Sequence, residues 1–332
     1  DVDGTARTSE EHLRDLEAVN GRSVIFPLCV TTGYEAENRR VLAECSRRPE
    51  RLTPFARLDP RVDGARSSAA AALADGARGF KLHPRSEDFR LDHPGVDAIL
   101  SVAAEARAPV LIHAGLGVGS FGGTILSLAG RHPDAPIVLA HAAISDLSWL
   151  WEEVPAHPNL FFDTSWWNAS DLIALFSLVP PGRILFGSDA PYMDLEAVLA
   201  ITLRCARFAG LSPEAIELVA GGQLENLLAG EPASDAGPAP GPSQAAPSPL
   251  GGRALTALVA AGSAKLSGGD PGQMFELARL AVGDGSALGE SGPLVAALLD
   301  ESAAVTEEAP WALALAITHL LTPGVESAVL VS

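Results

Sequence analysis

The sequence predicts a parallel α/β barrel of the (β/α)8 type, followed by a small helical domain. Three observations carry this. Five apolar runs each end in a polar residue suited to holding a metal or moving a proton: GFKLHP (79–84), APVLIHAG (108–115), APIVLAHAA (135–143), NLFFDTS (159–165) and RILFGSDAPY (183–192). Strand-like and helical stretches alternate, with one βα unit per repeat. A proline-, alanine-, glycine- and serine-rich stretch at 231–252 then ends all apolar periodicity before an alanine- and leucine-rich tail.

In chain order, SEEHLRDLEAVNG (9–21) reads as a helix, and SVIFPLCV (23–30) and LTPFARLDP (52–60) as strands. The five runs above supply the remaining strands. The strands end near residues 30, 60, 83, 113, 141, 163 and 189. Helical spacing fills 36–48, 65–76, 94–106, 145–154, 169–179 and 194–210. That makes seven strands, whereas a closed barrel needs eight. The missing one belongs before residue 9, where DVDGTART is too polar for a buried strand. The chain begins at Asp1; either the first strand lies upstream of it, the favoured expectation, or another segment fills the gap. Residues 1–230 are therefore expected to form the barrel, 231–252 a flexible linker, and 253–332 a helical domain. In that domain 254–262, 274–282, 293–305 and 309–321 are helical, and VESAVLVS (325–332) is a short strand or a frayed end.

Composition narrows the function. Hydrophobic residues make up 47% of the 332 and charged ones 19%, enough apolar material for a large core. A formal net charge of −18, with only two lysines, disfavours nucleic acid and anionic membrane as partners. No run approaches the roughly 20 apolar residues of a membrane span, and no basic start leads into an apolar core. Three scattered cysteines, with no CxxC pair, predict neither a disulfide framework nor a cysteine zinc site. These features place the chain in a reducing cytoplasm, acting on a small molecule; oligomeric state is left open.

Side chains alternate along a strand. Lys81 and His83 thus share the face toward the barrel interior, while Phe80 and Leu82 face the helices. Asp163 and Ser165 share a face, as do Leu185, Gly187 and Asp189. Each polar group arrives at the carboxyl mouth, where barrel enzymes place their chemistry. Imidazole and carboxylate are the usual zinc ligands. His113, His141 and Asp189 have the chemistry for a metal-activated water and its proton shuttle. One histidine at a strand end is ordinarily structural; three histidines and an aspartate on four strands of one sheet point to a site.

The phrases KLHP, PVLIHAG, IVLAHAA, FFDTS and ILFGSDAPY, in this order, resemble the amidohydrolase-related branch of the amidohydrolase superfamily. That branch includes aminocarboxymuconate-semialdehyde decarboxylase and many metal-dependent hydrolases. The resemblance spans about residues 9–230, with GGQLENLLAG (221–230) as the helix closing the barrel. It implies His113 as a metal ligand and Asp189 as ligand and general base. It implies His141 as a second ligand or as the group that holds water and polarises the substrate. Lys81 matches a strand where the superfamily sometimes carries a carboxylated bridging lysine; a contact with a substrate carboxylate is the better reading, since a buried ammonium needs an anion. The family's first-strand His-x-His pair has no counterpart in this sequence, and His12 lies in a charged helical stretch.

The expected activity is therefore metal-dependent hydrolysis, by zinc or a similar divalent ion, of a small cyclic or carboxylated substrate. Decarboxylation by the same kind of site is the alternative. A non-catalytic barrel used for binding or assembly is a second class of reading. His83, Asp163, Trp166 and Tyr192 are candidate substrate contacts, with Trp167 beside them as wall or packing. Gly117-Val-Gly-Ser-Phe-Gly122 matches G-x-G-x-x-G, but the next strand ends in His141, not in the acidic residue a dinucleotide fold needs. A flexible substrate loop is expected there. His93, His132 and His157 read as surface turn residues, and His319 as structural.

Overall fold

The computed structural model describes residues 7–115, 117–166, 168–243, 245–283, 288, 292–304 and 309–325. Two compact units emerge. The first comprises 1–165, 179–192 and 217–238; the second comprises 166–178, 193–216 and 239–332. The division does not follow the linker: the helices Ala169–Leu178 and Leu195–Phe208 group with the C-terminal helices.

All strands of the first unit run parallel. β1 (Ser23–Ile25) pairs with β2 (Leu52–Pro54). β3 (Ala56–Arg57), β4 (Phe80–Leu82), β5 (Val110–Ile112), β6 (Ile137–Leu139), β7 (Leu160–Asp163) and β8 (Ile184–Leu185) form a six-stranded sheet in sequential order. β2 and β3 are separated only by Phe55, whose N–H still donates to Ile25 O at 2.9 Å. The strand positions are thus the seven that the sequence predicts. Among the described residues no strand pairs β8 with β1; the stretch expected to lack that strand includes 1–6, outside the described residues.

Register sorts the side chains. Arg57, Lys81, Leu111, Val138 and Phe161 are in-register partners across β3 to β7 and form one inward row. Val138, Phe161 and Leu185 pack with Leu111 and with Leu224 and Leu227 of the helix Gln223–Leu228. That helix therefore closes the barrel floor, as GGQLENLLAG predicts. On the opposite face Phe80, Leu82, Val110, Ile112, Ile137 and Leu160 are fully buried against the helices. Each contributes roughly 1.5–3 kcal/mol of burial.

Several expectations change. The helix Gly122–Arg131 is missed by the sequence reading, because its Gly-Gly start looks like loop. The stretch 145–154 holds only one short α-helix, Leu147–Leu150, before a 3-10 segment containing Pro155. The linker is not free at its start. Gln223, fully buried, donates to Gly182 O and Ser234 O and accepts from Ser234 N. Its end is helical: Ser248 caps and Pro249 opens the helix Pro249–Leu266, so the helical domain starts four residues earlier than predicted. In the second unit Gly272–Val282, Gly292–Ala303 and Ala309–Leu321 follow the predicted helices. Residues 326–332, most of VESAVLVS, lie outside the described residues. No described helix is long and apolar enough to cross a membrane.

Candidate active site

Two residues beyond the inward row, the strands reach the mouth. His83 and His113 leave β4 and β5 side by side, rings stacked at 4.0 Å and 12°. His113 Nδ1 lies 3.0 Å from His141 Nε2. The His141 ring is fixed on its other side, where Nδ1–H donates to Ser165 O at 2.6 Å. Because a carbonyl only accepts, Nδ1 must carry a proton, and in the neutral ring Nε2 must be the acceptor. His141 N in turn donates to Asp163 Oδ1 at 2.9 Å. Asp163 Oδ1 also accepts from Ser165 N at 2.9 Å and Ser165 Oγ at 2.5 Å. Asp163 and Ser165 thus hold His141. The sequence shows Ser165 only as sharing a face with Asp163; nothing in its spacing signals this task.

The backbone here is strained. Among the described residues seven non-glycine positions have positive φ, and four of them are His141, Ala142, Ala143 and Asp189. Each such conformation costs on the order of 1–3 kcal/mol and concentrates at functional sites. Two glycines make room for this packing. A Cβ on Gly115 would lie 2.6 Å from His141 Cδ2, and one on Gly187 would lie 3.1 Å from Asp163 Cγ. Gly115→Ala is expected to push the His141 ring off its bonds. Turnover should fall about 10–100-fold with a loss of roughly 1–3 kcal/mol in stability. Steady-state rates and thermal melts of the variant check this.

Lys81 is buried, 5% exposed. Its ammonium stands 5.2 Å from the Phe26 ring. Among the described residues it has no hydrogen-bonded or ion-paired partner. Burial pulls its pKa from 10.5 to about 8, opposed by the Asp163 and Asp189 carboxylates. Burial likewise raises Asp189, against the pull of His141 and Lys81. It lowers His83, helped by His113 and Lys81, so His83 is a neutral ring; its Nδ1 accepts from Ser86 N at 3.2 Å.

His113, His141 and Asp189 are the donor types zinc takes. As placed, they do not fit a metal on their own. No three His, Cys, Asp or Glu side chains converge among the described residues, and the two imidazoles are bonded to each other. A divalent ion at this mouth would need further donors.

The end of the glycine-rich stretch, Ser120–Gly122, is bonded to Asp146. Buried Asp146 accepts from Ser120 Oγ, Phe121 N, Gly122 N and Trp149 Nε1 at 2.5–3.2 Å. Its carboxylate fills the helix N-terminus that a dinucleotide phosphate would use. Tyr192 is 46% exposed, its N–H donating to Asp189 O at 3.0 Å. Trp166 belongs to the second unit, where its indole donates to Asp171 at 2.6 Å; Trp167 lies outside the described residues. His132 is a correction: it is buried and bonded to Asp97 at 2.8 Å, not a surface turn residue. Arg57, Glu87 and Tyr34 are further buried groups of this unit that the sequence reading passed over. Only Arg57, a lone cation inside an apolar strand, gave a signal.

The model of the amidohydrolase family matches residues 10–222. No curated protein matches. Among solved structures, an uncharacterized TIM-barrel protein from Bordetella bronchiseptica is similar at 19% identity, covering 67% of this chain and 83% of that one, with a TM-score of 0.53. An amidohydrolase II structure is also 19% identical, over 68% and 90% of the two chains, with a TM-score of 0.55. The 5-carboxyvanillate decarboxylase of Sphingomonas paucimobilis is 15% identical over 68% and 84%, at 0.52. At these identities the likeness carries the fold, a TIM barrel. With nearly two thirds of its length matched by the family model, the chain belongs to the amidohydrolase family.

Proposed function

We propose that the barrel is an enzyme that hydrolyses a small carboxylated substrate at the mouth formed by Lys81, His113, His141 and Asp189. The observation that supports it most is Lys81: a buried ammonium without a direct partner is costly, and an anionic ligand offsets that cost. Asp189, its pKa raised by burial, is suited to take a proton from an attacking water near neutral pH. The water oxygen then adds to the substrate carbonyl, and the proton passes on to the leaving group. His141, with Nδ1–H fixed on Ser165, donates through Nε2 to the developing oxyanion only as the imidazolium. The family's chemistry draws on a divalent ion, zinc being the first candidate; because the described residues do not hold one unaided, no step here is routed through it.

Decarboxylation is the second reading, favoured by the same raised Asp189, which as a neutral acid can protonate a carbanion. Turnover of carboxyl-labelled substrates separates the two: labelled carbon dioxide marks decarboxylation, and its absence beside a hydrolysed product marks hydrolysis. A pH profile tests the anchor itself. Carboxylate binding requires the ammonium form of Lys81, so affinity is expected to be flat below about pH 8 and to fall about tenfold per pH unit above it. A break near the ordinary lysine value, or no break, contradicts the assignment of Lys81.

A further inference from the structure

The segment after β5 touches the segment after β6 at two places. At the first, Gly115 passes under the His141 ring, where a Cβ would meet Cδ2 at 2.6 Å. At the second, Asp146, 1% exposed, receives Ser120–Gly122. Its Oδ2 accepts from Phe121 N at 3.0 Å and Gly122 N at 3.1 Å. Its Oδ1 accepts from Ser120 Oγ at 2.5 Å and Trp149 Nε1 at 3.2 Å. Only glycine fits at 122: a Cβ there would lie 2.4 Å from the Trp149 ring.

This use of Asp146 is at odds with its position. It is the N-cap of the helix Leu147–Leu150, where an aspartate ordinarily caps its own helix, yet its side chain makes no such bond. It serves the helix Gly122–Arg131 instead, whose own N-cap, Phe121, has no polar side chain to offer. Residues 141–143 explain what the exchange secures. His141, Ala142 and Ala143 are all left-handed, at φ 59°, 55° and 50°. Such strain persists only where the surroundings over-determine it. Asp163 holds the front of this run, accepting from His141 N at 2.9 Å. Asp146 holds the rear. Its N–H donates to Ala143 O at 2.9 Å, while its carboxylate is fastened to the neighbouring segment.

We propose that Asp146 is a positioning residue for His141: by clamping the turn 141–146 to Ser120–Gly122, it keeps the His141 ring seated on Ser165 O and against His113. Asp146 itself takes no part in binding or bond cleavage. This rests on His141 as a member of the proposed site. The test reads His141 itself, so a failure of benzoate to bind would leave the clamp standing.

Nuclear magnetic resonance of protein labelled at its histidine nitrogens tests it, above the ordinary histidine pKa. The His141 signal is the one lost in His141→Gln. In the wild type it should report a ring protonated on Nδ1, the tautomer that Ser165 O imposes. Asp146→Asn should release that ring into mixed tautomers, because an amide cannot replace this carboxylate. With its oxygen on the two backbone N–H groups, its NH2 faces the Trp149 indole N–H; turned round, it faces both backbone donors. Adding Trp149→Phe removes the opposing indole. The NH2 can then donate to Ser120 Oγ, and the double variant should recover the wild-type signal although it carries one change more. A cap that serves only the helix Gly122–Arg131 would leave the His141 signal unaltered in Asp146→Asn, and that overturns the proposal. An altered signal that Trp149→Phe does not restore also overturns it, as does a wild-type ring not protonated on Nδ1. Should Asp146→Asn not fold, Asp146→Ala removes the clamp without opposing donors. A released ring there upholds the proposal, and an unaltered one overturns it.

Discussion

Asp189→Asn is expected to lower kcat by about 10²–10⁴-fold, with KM little changed. The asparagine is nearly isosteric, so the strained left-handed turn at φ 56° keeps a residue type that tolerates it. What is lost is the proposed proton acceptor. The raised pKa of Asp189, caused first by burial, makes it a stronger base than an ordinary carboxylate, so the loss should lie at the large end of that range. Steady-state kinetics on a carboxylated ester or amide that the wild type turns over measure it. A variant retaining its full rate removes Asp189 from the chemistry.

Lys81→Met is expected to act in opposite directions on binding and stability. Affinity for carboxylates should fall at least tenfold, since the anchoring charge is gone. Stability near neutral pH should rise. The folded pKa of Lys81 is depressed from 10.5 to about 8. The unfolded chain therefore binds more protons between those values, and stability climbs with pH across that window. Below about pH 8 the full penalty is present, on the order of 3 kcal/mol. Methionine removes it while filling similar volume beside Phe26. The stabilising effect should be greatest near pH 7 and shrink toward pH 10.5. Thermal melts of both proteins at pH 7 and pH 10 check this; a variant less stable than the wild type at pH 7 contradicts a strained, unpartnered ammonium. Such a trade of stability for a functional charge is common at active sites.

The parallel barrel was legible because its signals are local and repeated. Each strand is a short apolar run with a polar residue at its carboxyl end, and period-two alternation correctly placed Lys81 inward and Phe80 and Leu82 outward. The helix Gly122–Arg131 escaped because its start is set by a distant partner: Asp146, 24 residues on from Gly122, supplies the cap that the loop's own residues lack. The helical domain began earlier than predicted because Ser248 and Pro249 form a start signal inside a proline-rich stretch, where composition outweighed it. In the site, the residues that carry charge were visible as types at strand ends. Their supports were not. Ser165 holds His141 through its backbone carbonyl, which no side-chain pattern reveals. Glu87 and Tyr34 meet over 53 residues of separation, and only the register of β3 on β4 brings Arg57 beside Lys81. The division of the chain into units was equally illegible, because the helices 169–178 and 195–208 carry the same apolar spacing whichever neighbours they pack against.

The proposed carboxylate site at the barrel mouth stands or falls with Lys81. Calorimetric binding of benzoate at pH 7 to the wild type and to Lys81→Met tests it most directly. Measurable binding by the wild type and at least a tenfold loss in the variant are expected. Equal affinity in the two proteins, or no binding by the wild type, would contradict it.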